Sequence, residues 1–488
     1  MKRYQLLILS IAICFSAICA KAQQPHALKQ LIASKEMRYA SIGCMVKEIG
    51  SSQKATVNYQ TNMRLTPASV LKTVTTATAL ELLGEDYRYP TEIQYDGVIQ
   101  NGTLNGNLYI KGHGDPTLGS SHFEPESKEF IQEWTNAIRN AGIKKINGRV
   151  VADESIFDTE GISLKWVYED LGSYYGTGSY GTNVFDNMYA LFISTGNSGT
   201  LPRILRSEPN VDIVFHNYLH AKSIAKDSSY IVGMPFVPER YLYGDVPANH
   251  NNYKLKGDIP EPALFLAQYL EKELNKEGIT AKEKASCFRI MQKERLWQLK
   301  ERKTLTTTYS PTLAKIVEKT NHVSHNLYAD ALLKTIGLRY KAEKRESVSS
   351  FERGIRVMKS YWEKKGVDLS PFVIYDGSGL ALANKVTANT LCSILGYMMT
   401  QSKHKEAYLQ SFPQAGIEGS VRNFLKGTSL AGQARLKSGS MSGVRCYAGY
   451  IQHEGKQYSV VLLINDYEGK STNINRCITR FLLGLFGQ

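Results

Sequence analysis

Between about Glu92 and Ile290 the helical periodicity at both ends of the chain gives way to short alternating runs rich in Gly and Tyr. Gly106-Asn107-Leu108-Tyr109-Ile110-Lys111-Gly112 is representative. Helical patterns are few there, Lys128 to Asn140 and Pro262 to Glu277. Outside this interval the signals are those of a mixed unit. After a short helical segment, Ala27 to Lys35, Ile42 to Lys47 and Ala55 to Tyr59 read as two strands joined at Gly50-Ser51-Ser52. At the far end, Arg445 to Ile451 and Gln457 to Ile464 form a hairpin around His453-Glu454-Gly455-Lys456, and an amphipathic helix follows, Asn473 to Phe486. About 200 β-rich residues between two halves of an α/β unit make an insertion, so the first and last segments together supply one α/β (α+β) domain with an antiparallel sheet.

A chain of 488 residues is too long for one ordinary domain. The expected division is a signal peptide over 1–22 and an outer domain from 23–91 and 291–488. One inserted domain spans 92–158 and 258–290, with a second nested in it at 159–257. The signal rests on Lys2 and Arg3, the apolar run Leu6 to Cys19, and Ala20-Lys21-Ala22 as cleavage site. That run is shorter than the about 20 residues a membrane span needs, and Ile18 before Cys19 is poor context for a lipoprotein site. The expectation is an exported, periplasmic protein beginning near Gln23.

The net charge is +14, and loss of the signal removes three positive residues. Such a surface can associate peripherally with an anionic wall polymer or membrane. No basic helix or interleaved aromatic stripe supports nucleic-acid binding. Of seven cysteines two lie in the signal; Cys44, Cys287, Cys392, Cys446 and Cys477 are scattered without metal spacing. They read as small buried apolar residues, with a Cys446–Cys477 disulfide as an unsupported alternative.

Chemistry is carried by three short motifs in order. Ser-x-x-Lys occurs four times: Ser51/Lys54, Ser69/Lys72, Ser223/Lys226 and Ser402/Lys405. Only Ser69 has a helix start before it, with Thr66 as N-cap and Pro67 in the first turn, and an apolar helix behind it that ends at Gly84. At i and i+3 the hydroxyl and the ammonium share a helical face. A serine needs a base to take its proton, and Lys72 can serve only if burial or a second cation, such as Lys437, depresses its pKa.

Ser324-His325-Asn326 is the second motif. Ser324 can relay a proton to a leaving amine, and Asn326 can bond Lys72 and a substrate amide; the plainer reading is a polar helix cap. The third is Lys437-Ser438-Gly439-Ser440, ahead of the C-terminal hairpin. Lys437 and Ser438 can hold a carboxylate, Gly439 allows close backbone approach, and the Ser440 N–H can complete an oxyanion hole with that of Ser69; the plainer reading is a turn. His113, His322 and His325 could pair with a serine, but no Gly-x-Ser-x-Gly elbow is present. No motif announces a metal.

With these motifs the chain resembles the D-alanyl-D-alanine carboxypeptidase/endopeptidase family of class C low-molecular-mass penicillin-binding proteins, serine peptidase family S13. The long interval between Ser69 and Ser324 fits, because this family inserts domains where class A β-lactamases have a short gap. Gly112-His113-Gly114-Asp115-Pro116-Thr117-Leu118, Asp153-Glu154-Ser155-Ile156-Phe157, Asp376-Gly377-Ser378-Gly379-Leu380 and Pro413 to Ser420 look like the same family. The resemblance implies a β-lactamase/transpeptidase-like catalytic domain, acylation of Ser69 by peptidoglycan stem peptides ending in D-Ala-D-Ala, β-lactams as covalent inhibitors, and no cofactor. It also implies that Asp153 holds the amine of a diamino acid side chain. Family members often carry Arg where Leu382 stands, and Lys-Thr-Gly where this chain has Lys-Ser-Gly. Competing expectations are a weakly active penicillin- or wall-binding module and a β-lactamase or esterase on the same scaffold. The oligomeric state is left open.

Overall fold

The computed structural model describes residues 25–487 apart from 53–54, 126–128 and 342–346. The expected signal peptide and the start of the Lys128 helix lie outside the described residues. Among those described, no helix is long and apolar enough to cross a membrane.

The two ends of the chain share one five-stranded antiparallel sheet. Its order is Ala434–Met441, Val444–His453, Lys456–Asn465, Ser41–Glu48 and Val57–Tyr59. The C-terminal hairpin is therefore zipped to the N-terminal strand, with Ser41 opposite Asn465 and Glu48 opposite Tyr458. Both faces are covered, and alternation along each strand divides the side chains between two cores. Cys446, Ala448, Tyr450, Val461 and Leu463 join the cluster beneath the helices Lys72–Leu83, Asn326–Gly337 and Ala388–Thr400. Tyr447, Ile451, Val460, Leu462 and Ile464 meet the terminal helices His26–Ile32 and Ser471–Phe486 instead. Each such aliphatic side chain contributes about 1.5–3 kcal/mol by leaving water.

The helix Lys72–Leu83 is buried over Lys72–Leu80 and carries no polar face. Its threonines are tolerated because their hydroxyls find carbonyls: Thr73 donates to that of Val70, Thr76 to that of Lys72, Thr78 to that of Val74, and Thr75 to that of Gly377. Gly84, at φ 88, ends it with an N–H donated to the Leu80 carbonyl.

The interval between the motifs builds separate sheets. One runs Ser286–Cys287, Val150–Asp153, Leu108–Gly112, Pro90–Tyr95 and Lys303–Tyr309; a four-stranded sheet from Thr280–Ala281 to Val98–Gln100 accompanies it. The helices Phe130–Asn140 and Pro262–Lys276 share their core. Two three-stranded sheets, centred on Met188–Thr195 and Glu239–Pro247, enclose another core sealed by a buried Arg240–Asp258 pair at 2.7 Å. The strand Lys303–Tyr309 pairs with Pro90–Tyr95, beyond the boundary at 291 expected from sequence. It is Thr-rich, with little apolar alternation to read; Thr306 and Thr308 donate to the Glu133 carboxylate instead.

The described cysteines are free. Cys446 reaches the Thr66 carbonyl and Cys477 the Glu36 carboxylate, so the disulfide alternative is not realised.

Candidate active site

Ser69 sits in a tight turn, Ala68–Leu71, that leads directly into the helix Lys72–Leu83. The expected capping differs. No side chain caps this turn; the Thr66 N–H goes to Asn465 Oδ1, and its hydroxyl accepts from Lys385. Ala68 takes a positive φ of 47, which turns the chain so that half-buried Ser69 faces the cleft. Two glycines press on this turn. A Cβ on Gly379 would meet the Ala68 carbonyl oxygen at 2.0 Å, and one on Gly439 would meet that of Pro67 at 2.5 Å. Gly439 thus lets the edge strand Ala434–Met441 lie against the nucleophile's own turn.

Lys72 is fully buried, and its Nζ is surrounded. It lies 3.0 Å from Ser69 Oγ, 2.6 Å from Asn326 Oδ1 and 2.6 Å from the Ser378 carbonyl. Burial lowers its pKa to about 8, against the upward pull of Asp330 and Asp376. Lys437, a candidate from sequence for lowering it, does not contribute to this shift. Burial is what lowers it, and the repulsion between the two lysines bears instead on Lys437, which burial first and Lys72 second push well below the ordinary lysine range.

Lys437 Nζ donates to Ser324 Oγ at 2.8 Å and to the Ser438 carbonyl at 2.7 Å. The cap reading of the second motif is not what forms: His325 occupies the cap position of the helix Asn326–Gly337 and makes no side-chain cap bond. Ser324, at φ 62, turns to Lys437, while Asn326 turns to Lys72. Ser438 Oγ donates to Ser420 Oγ at 3.1 Å, tying the third motif to the Pro413–Ser420 segment.

Two carboxylates behind the lysines were not singled out as site residues. Asp330, on the helix after the second motif, accepts the N–H groups of Gly377 and Ser378 through Oδ1. Burial and then Asp376 push its pKa up to about 7. Asp376 accepts from the N–H groups of Gly379 and Ala381, from Asn384 Nδ2, and from Trp166 Nε1 of the inserted segment. Together they shape the loop whose Ser378 carbonyl meets Lys72. The Asp-Gly-Ser-Gly segment was visible in sequence, but Asp330 sits in an apolar helix with no motif around it.

The cleft has a volume of about 410 Å³ and is lined by Ser69, Ser324, Asn326 and Ser440 among others. That is room for a short peptide end rather than a large ligand. From the inserted segment come Glu169, Asp170, Tyr174 and Tyr175; the Tyr175 carbonyl accepts from Asn326 Nδ2 at 2.8 Å. Leu382 lines the rim and is exposed. Ser69, Lys72, Ser324, Asn326, Lys437, Ser438, Gly439 and Ser440 are thus brought together.

Asp153 is not among the cleft-lining residues. It is buried and ion-paired with Arg302 at 2.7 Å and Lys111 at 3.2 Å. Burial works to raise its pKa, but Ser155, Lys111 and Arg302 outweigh that and hold it below the usual range. The acidic groups that do line the cleft are Glu169 and Asp170, the latter pushed up to about 6 chiefly by burial.

The arrangement is an acyl-transfer site: a serine in contact with a buried lysine of depressed pKa, a second serine on a second lysine, and an edge strand at the rim. A family model described as the D-Ala-D-Ala carboxypeptidase 3 (S13) family matches residues 24–482. The chain is 27% identical over 446 residues to the D-alanyl-D-alanine carboxypeptidase DacB of Haemophilus influenzae, covering 88% of this chain and 86% of that protein. A D-alanyl-D-alanine carboxypeptidase of an Actinomadura species is 24% identical over 418 residues, 83% of this chain and 74% of the relative. Among solved structures, penicillin binding protein 4 from Haemophilus influenzae superposes with a TM-score of 0.78 at 24% identity, covering 94% of this chain and 97% of the other.

Proposed function

Since the chain belongs to the D-Ala-D-Ala carboxypeptidase 3 (S13) family, we propose that it is a serine-type D-Ala-D-Ala carboxypeptidase acting on peptidoglycan stem peptides through a Ser69 acyl-enzyme. The observation that carries the residue assignment is the position of Lys72, held between Ser69 Oγ and Asn326 Oδ1 with its pKa near 8.

In this reading neutral Lys72 takes the Ser69 proton as Oγ attacks the carbonyl of the penultimate D-alanine. The N–H groups of Ser69 and Ser440 hold the oxyanion, while Lys437 and Ser438 receive the terminal carboxylate. Ser324, bonded to Lys437, passes its hydroxyl proton to the departing D-alanine amine, and the proton taken up by Lys72 replaces it, leaving Lys72 neutral again. Water then attacks the ester, neutral Lys72 taking its proton and giving it to the departing Ser69 Oγ, which restores the starting state. β-Lactams acylate the same serine. For a stem-peptide amine we assign Asp170 and Glu169, which line the cleft, in place of Asp153, which the resemblance points to and which is paired with Arg302 and Lys111.

We assign the outer catalytic domain, the inserted domain and the nested one as expected from sequence, with the inserted domain extended to take in Pro90–Tyr95 and Lys303–Tyr309 because those strands share its sheet. The basic start and A-x-A site support export to the periplasm.

The test is digestion of purified muropeptides by wild type and Ser69→Ala, read by mass spectrometry. Loss of terminal D-alanine identifies carboxypeptidase work, and dimers becoming monomers identifies endopeptidase work. Identical products from both proteins would end the proposal.

A further inference from the structure

Three side chains from distant parts of the chain converge beside the Ser324–Asn326 turn: His122, Asp186 and His325. Each offers one ligand atom, and these atoms lie within 4.8 Å of one another. His325 Nε2 and Asp186 Oδ1 are 3.4 Å apart. Two ligands on a tetrahedral zinc, each about 2.0–2.1 Å from it, sit about 3.3 Å apart.

The surroundings hold these groups in place: Asp186 pairs with His325 and accepts from Tyr328, while ring nitrogens of the two histidines are left without a described partner. The His325 ring stacks on Tyr328 with centroids 3.8 Å apart, and its Nδ1 is buried with no hydrogen-bond partner. The His122 ring stands edge-on to His325 at 5.4 Å and makes no hydrogen bond to another described residue. Asp186 is buried in a run of three residues at positive φ, Phe185, Asp186 and Asn187 at 52, 57 and 52. None is glycine, and backbone of this kind persists only where its surroundings dictate it, often at ligand clamps. Asp186 Oδ1 also accepts from the Tyr328 hydroxyl at 2.8 Å, which in turn meets Ser120 Oγ at 2.6 Å, an outer set of bonds of the sort that orients metal ligands.

We propose that His122, Asp186 and His325 form a zinc site that pins the Ser324-His325-Asn326 turn to the inserted segments carrying His122 and Asp186. Two imidazoles and one carboxylate suit zinc better than magnesium or calcium, which take all-oxygen sets. Closing the 4.8 Å span onto one ion requires the half-buried His122 ring to swing inward, and its place near the surface leaves it room to do so. The fourth position falls to water. The ion takes no part in acyl transfer; it fixes the turn from which Ser324 and Asn326 project.

The test uses the full mature chain, stripped with chelator and desalted, then titrated with zinc chloride by calorimetry and with cobalt chloride by visible absorption. The expected result is one ion per chain, visible cobalt bands of a low-coordinate site, and a rise in melting temperature with zinc. His122→Gln and Asp186→Asn should each weaken zinc binding at least tenfold, while His122→Gln still labels with fluorescent penicillin and is therefore folded. Absence of stoichiometric binding by wild type overturns the proposal. So does binding by His122→Gln as tight as wild type, which would place the zinc elsewhere.

Discussion

Lys72 Nζ lies 2.6 Å from Asn326 Oδ1, joining two motifs that stand 254 residues apart in the chain. The contact matters because it fixes where the ammonium can go. With Asn326 and the Ser378 carbonyl on its other sides, Lys72 has one remaining neighbour, Ser69 Oγ, that could give up a proton.

Acylation should therefore follow the neutral fraction of Lys72. The rate of labelling by a fluorescent penicillin is expected to rise with pH and level off above about 8, since the base is ammonium below its pKa and free amine above it. Lys72→Ala should lose about 10²–10⁴ in rate. A flat profile across pH 6–9 would contradict the assignment.

Asp330 tunes that limb. Its charge raises the pKa of Lys72, so Asp330→Asn should move the limb to lower pH. The amide oxygen can still accept the Gly377 and Ser378 N–H groups, so the loop should keep its shape. The pH–rate profiles of the two proteins, measured side by side, read the direction.

Gly439→Ala tests the close approach of the edge strand. The new Cβ would meet the Pro67 carbonyl oxygen at 2.5 Å, and backbone must shift. Overpacking of this kind costs about 1–3 kcal/mol. Because the displaced turn carries Ser69, penicillin labelling should slow more than tenfold while urea denaturation shows only that moderate loss.

Trp166→Phe removes the N–H that the inserted segment donates to Asp376 at 2.9 Å. A buried hydrogen bond to a charged group contributes about 1.5–3 kcal/mol. Chemical denaturation should show a loss of that size, with a similar ring left to fill the space.

Asp153 and Asp170 can be told apart by substrate. Asp170→Asn should raise KM about tenfold for stem peptides whose third residue bears a free amine, and spare peptides that lack it. Asp153→Asn should leave that preference alone and lower stability by roughly 3 kcal/mol, since Arg302 and Lys111 lose their partner.

The outer sheet and the three motifs were legible because each leaves a local mark. The alternation of the C-terminal hairpin, the apolar run behind Ser69 and the glycine that ends that helix are properties of neighbouring residues. The strand Lys303–Tyr309 was not legible, because threonines bonded to Glu133 give no apolar alternation. The surroundings of Asp153 were not legible for a related reason. A short acidic match says nothing about which face of the inserted sheet reaches the cleft, and Arg302, which neutralises it, lies 149 residues further on.

By itself, then, the sequence determined the chemistry available: a serine and lysine on one helical face, a second serine and lysine downstream, and strands enough at both ends for one sheet. Tertiary structure alone decided what those groups become. Burial, not any neighbour in sequence, brings Lys72 down to about 8. The meeting of distant segments places Asp330 and Asp376 behind it, Asp170 in the cleft, and His122 and Asp186 against His325. Charge and desolvation act through space, and the distances that set them exist only after the chain has folded.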